Sequence, residues 1–179
     1  FTDAHSSSSV STPSRYGVLT GRYNWRSDLK SGVLMGYNKA LIAPDRRTIA
    51  SVLRDQGYQT ACIGKWHLGW DWINIEAGPD SVDFSKPISN GPTTRGFDYF
   101  YGIIASLDMA PYVYVENDMP TALPDRVTVN DGMKYWRKGP TASDFDHEQT
   151  LPNFINRAVD YIHDKSKEDK PFYLYLPLP

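Results

Sequence analysis

The stretch from Pro44 to Gly64 constrains the fold more than any other. An amphipathic helix pattern runs through one glycine into a short apolar strand that a second glycine closes. Ile49, Val52 and Leu53 fall at i, i+3 and i+4 on one face, with Arg46, Arg47, Arg54 and Asp55 largely off it. The spacing predicts a helix from Pro44 to Gly57, with Gly57 just past its end, where a left-handed backbone is common. Tyr58 to Ile63 then fits a strand. Helix, tight turn and strand in that order is part of an α/β unit, and in such sheets functional groups sit just past a strand's carboxyl end. Lys65, Trp66 and His67 occupy that place.

The rest of the chain is read around this unit. Phe1 to Ser9 runs into consecutive serines and in isolation reads as a linker. A helix opening at Pro13 and ending at Gly21 is expected, because a proline in the first turn loses no hydrogen bond. Trp25 to Ala43 has no clear period and reads as loop, with a strand near Val33 to Met35. Residues 70 to 96, rich in Asp, Asn, Pro and Gly, read as a long surface excursion. Phe97 to Ile104 is strand-like, and Tyr112 to Val115 with Val127 to Val129 is expected to form an antiparallel pair. A second helix is expected from Leu151, with Phe154, Ile155, Ala158, Val159 and Ile162 along one face. Phe172 to Leu176 then reads as a buried strand. That strand stops short of any element it could lead into, and the chain opens without an initiator Met, so residues 1–179 are expected to be part of a single catalytic domain truncated at both ends.

Composition excludes several classes of function. A formal charge of −2 removes the basic footprint of a nucleic-acid binder. No apolar run approaches the roughly 20 residues of a membrane span. One cysteine makes no internal disulfide framework, and Cys62, inside the expected strand, reads as a small buried hydrophobe.

Chemistry concentrates in Ser11-Thr12-Pro13-Ser14-Arg15-Tyr16-Gly17-Val18-Leu19-Thr20-Gly21-Arg22. A hydroxyl just before a helix start, with a guanidinium one turn on, suits an anion, because backbone N–H groups, the helix dipole and a bidentate cation converge there. Taken locally, the same residues also describe a serine cap with a surface arginine. The twelve-residue pattern resembles the first signature of the type I sulfatases, in which Cys or Ser, any residue, Pro, Ser and Arg precede Leu-Thr-Gly-Arg. Gly57-Tyr58-Gln59-Thr60-Ala61-Cys62-Ile63-Gly64-Lys65-Trp66-His67-Leu68-Gly69 resembles the second signature. Gly96 to Ser106 is more weakly similar to a family stretch that often carries a sulfate-contacting polar residue near Ser106.

The resemblance implies an alkaline-phosphatase-like α/β fold, with a mixed central sheet flanked by helices and present here in part. It implies a sulfuric ester hydrolase acting on a sulfated carbohydrate, either a polysaccharide or a glycosaminoglycan, in which Ser11 is oxidised to formylglycine by a formylglycine-generating or serine-type maturating enzyme. A plain serine attacking sulfur would leave a stable alkyl sulfate, whereas a geminal diol attacks with one hydroxyl and expels sulfate as the aldehyde re-forms. By the same resemblance Arg15 holds the hydrate, Lys65 binds a sulfate oxygen, His67 contacts the nucleophile or ester oxygen, and Ser106 contacts sulfate. Family members bind calcium through acidic pairs and the formylglycine. Here only Ser11 of that ligand set is expected in the chain, along with neither the downstream Pro-His histidine nor the acidic pairs. A periplasmic or secreted bacterial location fits such substrates.

Two alternatives remain open on the sequence, and two weaker patterns are set aside. Ser27-Asp28-Leu29-Lys30 has S-x-x-K spacing without its companion motifs, and Asp144, Asp146 and Glu148 read as a solvated turn. A phosphomonoester or phosphonate hydrolase of the same superfamily needs a similar anion cradle. A non-catalytic glycan binder would stack sugars on Trp70, Trp72, Tyr112, Tyr114 and Trp136.

Overall fold

A computed structural model describes residues 2–179, and Phe1 lies outside the described residues. The helices are α1 (Ser11–Thr20), α2 (Ile49–Asp55) and α3 (Thr150–Lys165). The strands are β1 (Gln59–Lys65), β2 (Tyr99–Ile103), β3 (Val115–Glu116), β4 (Met119–Pro120), β5 (Pro124–Asn130), β6 (Trp136–Ala142) and β7 (Phe172–Tyr175). A five-stranded mixed sheet runs in the order β4-β3-β2-β1-β7, and β5 pairs with β6 in a separate hairpin. β1 is parallel to both β2 and β7, whereas β3 and β4 add antiparallel to the β2 edge. This is the expected mixed α/β architecture.

β1 is buried from Thr60 to Lys65, as a parallel strand covered on both faces must be. Its Gly64 pairs with Gly102 of β2, and a Cβ on Gly102 would meet the Gly64 carbonyl oxygen at 1.8 Å. Gly64 therefore does not end the strand; it lets two backbones and the Pro177 carbonyl close around it, and β1 runs on to Lys65. α2 is shorter than its periodicity predicts. Thr48 starts it through a reciprocal capping box with Ser51, and its hydroxyl donates to the Arg95 carbonyl at 2.6 Å. The inward residue is Ala50, while Ile49 and Val52 of the expected inner face stay exposed. The α2 backbone at Ala50 and Ser51 packs on Gly96 so closely that a Cβ on Gly96 would meet Ser51 N at 2.3 Å.

Five further expectations are corrected. Val33 to Met35 forms no strand; the Leu34 backbone instead bonds side chains, accepting from His67 and donating to Thr12. The 70–96 excursion is not a surface loop throughout. Trp70, Trp72, Ile88 and Arg95 are buried in it, because the polar turn residues only punctuate anchors that return to the core. Val127 to Val129 pairs with β6 rather than with Tyr112 to Val115, whose Val115 joins the main sheet. β7 is half-buried along its length, and in α3 only Phe154 and Ala158 of the expected face are buried, with Ile155, Val159 and Ile162 exposed.

Candidate active site

The carboxyl end of β1 delivers Lys65 and His67 to the amino end of α1. α1 begins at Ser11, two residues before the expected Pro13, because proline is tolerated anywhere in a first turn whose N–H groups have no intrahelical partner. The N-cap is Val10 and contributes no side-chain cap, so Ser11 is not a helix cap. It stands in the first turn, and Arg15 follows at i+4 on the same face. Gly21 ends the helix in a left-handed conformation, as expected.

Two side chains that can carry positive charge, Arg15 and His67, touch the Ser11 hydroxyl. Arg15 Nε donates to Ser11 Oγ at 2.7 Å, while its Nη1 and Nη2 donate to the carbonyls of Lys65 at 2.7 Å and Leu178 at 3.1 Å. The guanidinium is thus fixed by three bonds to three segments. His67 Nδ1 lies 2.9 Å from the same Oγ, and its Nε2 lies 2.8 Å from the Leu34 carbonyl. A carbonyl only accepts, so Nε2 carries the hydrogen and Nδ1 presents a lone pair to Ser11. The hydroxyl therefore accepts from Arg15 and donates to His67. His67 is 1% exposed, and burial is the main cause that pushes its pKa down to about 4, with Lys65 and Arg15 adding repulsion. Its backbone is held at φ 54 by bonds that carry the β1–β2 pairing past Lys65, with His67 N–H donating to the Ile104 carbonyl at 2.8 Å.

Lys65 is 8% exposed, and burial first, then Arg15, lowers its pKa to about 8. Its Nζ donates to Ser106 Oγ at 3.5 Å, a long contact that leaves most of its donor capacity free. Of the five expected residues, Ser11, Arg15 and His67 thus share one hydroxyl, while Lys65 and Ser106 make a second contact whose ammonium lies within charge range of Arg15 and His67. A shallow concavity lined by Ser11, Arg15, Tyr175 and Pro177 opens onto the hydroxyl. Sequence reasoning missed the Leu34 and Leu178 carbonyls and Tyr175, which sits against Arg15. Nothing in their residue types signals a role, since two act through backbone and one through strand placement.

The arrangement is an anion cradle with a polarised hydroxyl at its floor. Its donor set, a guanidinium, an ammonium and an imidazole, does not by itself fit calcium, which takes about six to eight oxygen ligands. Among the described residues no group of three or more His, Cys, Asp or Glu is placed to hold a metal ion. Cys62 is fully buried in β1, and burial pushes its thiol up, as suits a core residue. The expected sugar-stacking aromatics are corrected here. Trp70, Trp72, Tyr112 and Tyr114 are core, and Trp136 is stacked on His147. Aromatic surface in this chain goes to packing before it goes to ligand. Lys30 donates to the Trp25 and Ser27 carbonyls rather than to a serine hydroxyl.

Comparison with known proteins bears on this geometry. The family model "Sulfatase" matches residues 1–178. An N-acetylgalactosamine-6-O-sulfatase from Bacteroides thetaiotaomicron is 33% identical over 98% of this chain and 40% of its own length. Human arylsulfatase A is 31% identical over 98% of this chain and 32% of its own length. A solved structure from work on the metabolism of multiple glycosaminoglycans by Bacteroides thetaiotaomicron superposes with a TM-score of 0.77 at 29% identity, covering 96% of this chain and 41% of that one. The chain therefore spans well under half the length of these relatives.

Proposed function

Because the chain belongs to the sulfatase family, we propose that the protein removes sulfate from a sulfated carbohydrate, with Ser11 oxidised to formylglycine as its nucleophile. The observation that carries this reading is one hydroxyl held by Arg15 at 2.7 Å and His67 at 2.9 Å beside a buried lysine. A sulfate ester is an anion, and Arg15, Lys65 and the α1 amino end together favour one. A sulfate bound between Arg15 and Lys65 would also relieve their mutual repulsion, which favours binding.

Each residue has a task at a stated atom. Arg15 Nε orients the oxygen of residue 11 and offsets charge that builds on it. His67 Nδ1 takes the hydroxyl proton while Nε2 stays on the Leu34 carbonyl, so the ring is oriented before reaction. Lys65 Nζ, with Ser106 Oγ, holds a sulfate oxygen and stabilises charge during transfer. When formed, the formylglycine hydrate supplies a nucleophilic hydroxyl and a second one through which sulfate is released.

The carbohydrate substrate is supported by the relative named N-acetylgalactosamine-6-O-sulfatase. A formylglycine-generating or serine-type maturating enzyme is the partner this reading implies, and a periplasmic or secreted location suits a polymeric substrate. The test compares 4-nitrophenyl sulfate with 4-nitrophenyl phosphate on the full protein from its native host, alongside the mass of the Ser11 peptide. Faster sulfate release together with an aldehyde mass is expected. Faster phosphate release, or only unmodified serine, overturns the proposal.

A further inference from the structure

The segment after β2 carries a carboxylate that the chemistry above does not use. Ser106 to Met109 is a turn closed by Met109 N–H on the Ser106 carbonyl at 2.9 Å, so Asp108 projects from the same turn that brings Ser106 to Lys65. The Asp108 carboxylate on that turn is the smallest of the influences on Lys65 and His67, favouring the charged form of each. It is the only carboxylate that acts on either of them among the described residues. Its side chain keeps 32% of its exposure.

Asp108 is held from outside the sheet. Arg137 of β6 forms an ion pair with Asp108 Oδ2, and its backbone N–H and Nη1 both donate to the Asp108 carbonyl, at 3.2 and 3.1 Å. Arg137 is itself seated, because Tyr112 Oη donates to its carbonyl at 2.6 Å and the Tyr135 ring lies 5.7 Å from its guanidinium carbon. The β5–β6 hairpin thus reaches the turn of Ser106 through a grip on one residue. The grip uses one carboxylate oxygen, and Oδ1 has no partner among the described residues. An ionised carboxylate only accepts, so the group that Oδ1 suits is a neutral donor such as a sugar hydroxyl, not a second anion.

We propose that Asp108 is a specificity-determining residue that accepts a hydrogen bond from a hydroxyl of the sugar ring whose sulfate sits at Lys65, and that Arg137 is its positioning residue. This rests on the sulfated-carbohydrate reading above. A hydroxyl a few bonds from the sulfate comes within reach of Asp108, whereas a flat aryl sulfate offers none. The device distinguishes sugars from other sulfate esters without altering the nucleophile.

The experiment measures kcat and KM of the full, matured protein on 4-nitrophenyl sulfate and on 6-O-sulfo-N-acetylgalactosamine. The readout is the ratio of the two kcat/KM values. Asp108→Ala lowers the ratio of saccharide to aryl sulfate by about tenfold to a hundredfold, mainly through the saccharide KM, as expected for one charge-assisted hydrogen bond. Arg137→Gln, which leaves the Asp108 charge in place, lowers it by about threefold to tenfold, and Arg137→Lys recovers part of that loss. If both variants keep the wild-type ratio, or lose both activities in equal measure along with melting temperature, the assignment of Asp108 is overturned while the sulfatase reading stands. If the wild type cleaves the aryl sulfate and not the saccharide, the carbohydrate reading falls and the assignment with it.

Discussion

At the scale of single residues, two buried groups set the working range of the site. Both His67 and Lys65 hold their protons less tightly than in water, His67 at about 4 and Lys65 at about 8, in each case chiefly through burial. In the proposed reaction His67 must be neutral to accept a proton, and Lys65 must be charged to hold sulfate. The kcat/KM profile, which reports the free enzyme, is therefore expected to fall on the acid side near 4 and on the alkaline side near 8. In Lys65→Arg the alkaline limb disappears even as overall activity drops, because a guanidinium stays charged across that range. An unchanged alkaline limb in that variant would remove Lys65 from the profile. Stability carries the opposite face of the same shift. The unfolded chain binds a proton at His67 near the ordinary 6.5 and the folded chain only near 4, so His67 makes stability decline as pH falls through that window. His67→Gln is expected to flatten that decline in urea titrations at successive pH values. Arg15→Lys keeps the charge but replaces a three-bond fork with one flexible ammonium, and a loss of about a hundredfold in kcat is expected, of the order of losing one oriented donor to a charged transition state. Ser11, Arg15, Lys65 and His67 were all legible in the sequence because each sits in a local pattern. Asp108 and the Leu34 carbonyl were not, since both reach the site only through a turn or a crossing loop.

At the scale of elements, the strand ends explain why the two halves of the site meet. The Gly64–Gly102 register lets β1 and β2 approach with no side chain between their backbones, and it aligns Lys65 with Ile103 next to the turn of Ser106. Gly102→Ala would push a Cβ to 1.8 Å from the Gly64 oxygen, a contact with backbone that only a strand shift relieves. A loss of about 1–3 kcal/mol in urea unfolding is expected, with a larger drop in activity than in stability because Lys65 moves with the strand. A Gly102→Ala protein with full activity would show that the register does not set the site. Thr48→Ala removes both the α2 cap and the bond to the Arg95 carbonyl, and about 1 kcal/mol or somewhat more is expected from the same measurement. Periodicity predicted α2, β1, β2, α3 and β7 as elements. It failed at their inner faces, because burial of a short helix is decided by what it touches. The α2 backbone packs on the side-chain-free Gly96 with Ala50 buried, and Ile49 and Val52 are exposed although they carry the stronger apolar signal.

At the scale of the whole molecule, the polar 70–96 region is tied to the core by tryptophans whose ring N–H groups are treated differently. Trp66 donates to the Gly69 carbonyl at 2.9 Å and Trp72 to the Gly36 carbonyl at 3.0 Å, whereas Trp70 Nε1 is buried without a partner among the described residues. Trp72→Phe leaves a buried carbonyl unpaired and Trp70→Phe does not, so Trp72→Phe is expected to be the more destabilising by about 1 kcal/mol in denaturant titration. Trp70→Ala, by contrast, empties a fully buried site and is expected to cost about 3–5 kcal/mol. Equal effects of Trp70→Phe and Trp72→Phe would contradict the assigned hydrogen bonding. The sequence by itself determined the helix–strand unit, the mixed α/β class and the residues of the anion cradle, because period, turn chemistry and contiguous motifs act over a few residues. Only the tertiary structure decided which apolar and aromatic side chains are core, where the β5–β6 hairpin pairs, and that Arg137 grips Asp108 beside Lys65. Those depend on contacts between segments far apart in the chain, and packing and desolvation at such contacts have no counterpart in the spacing of residues along it.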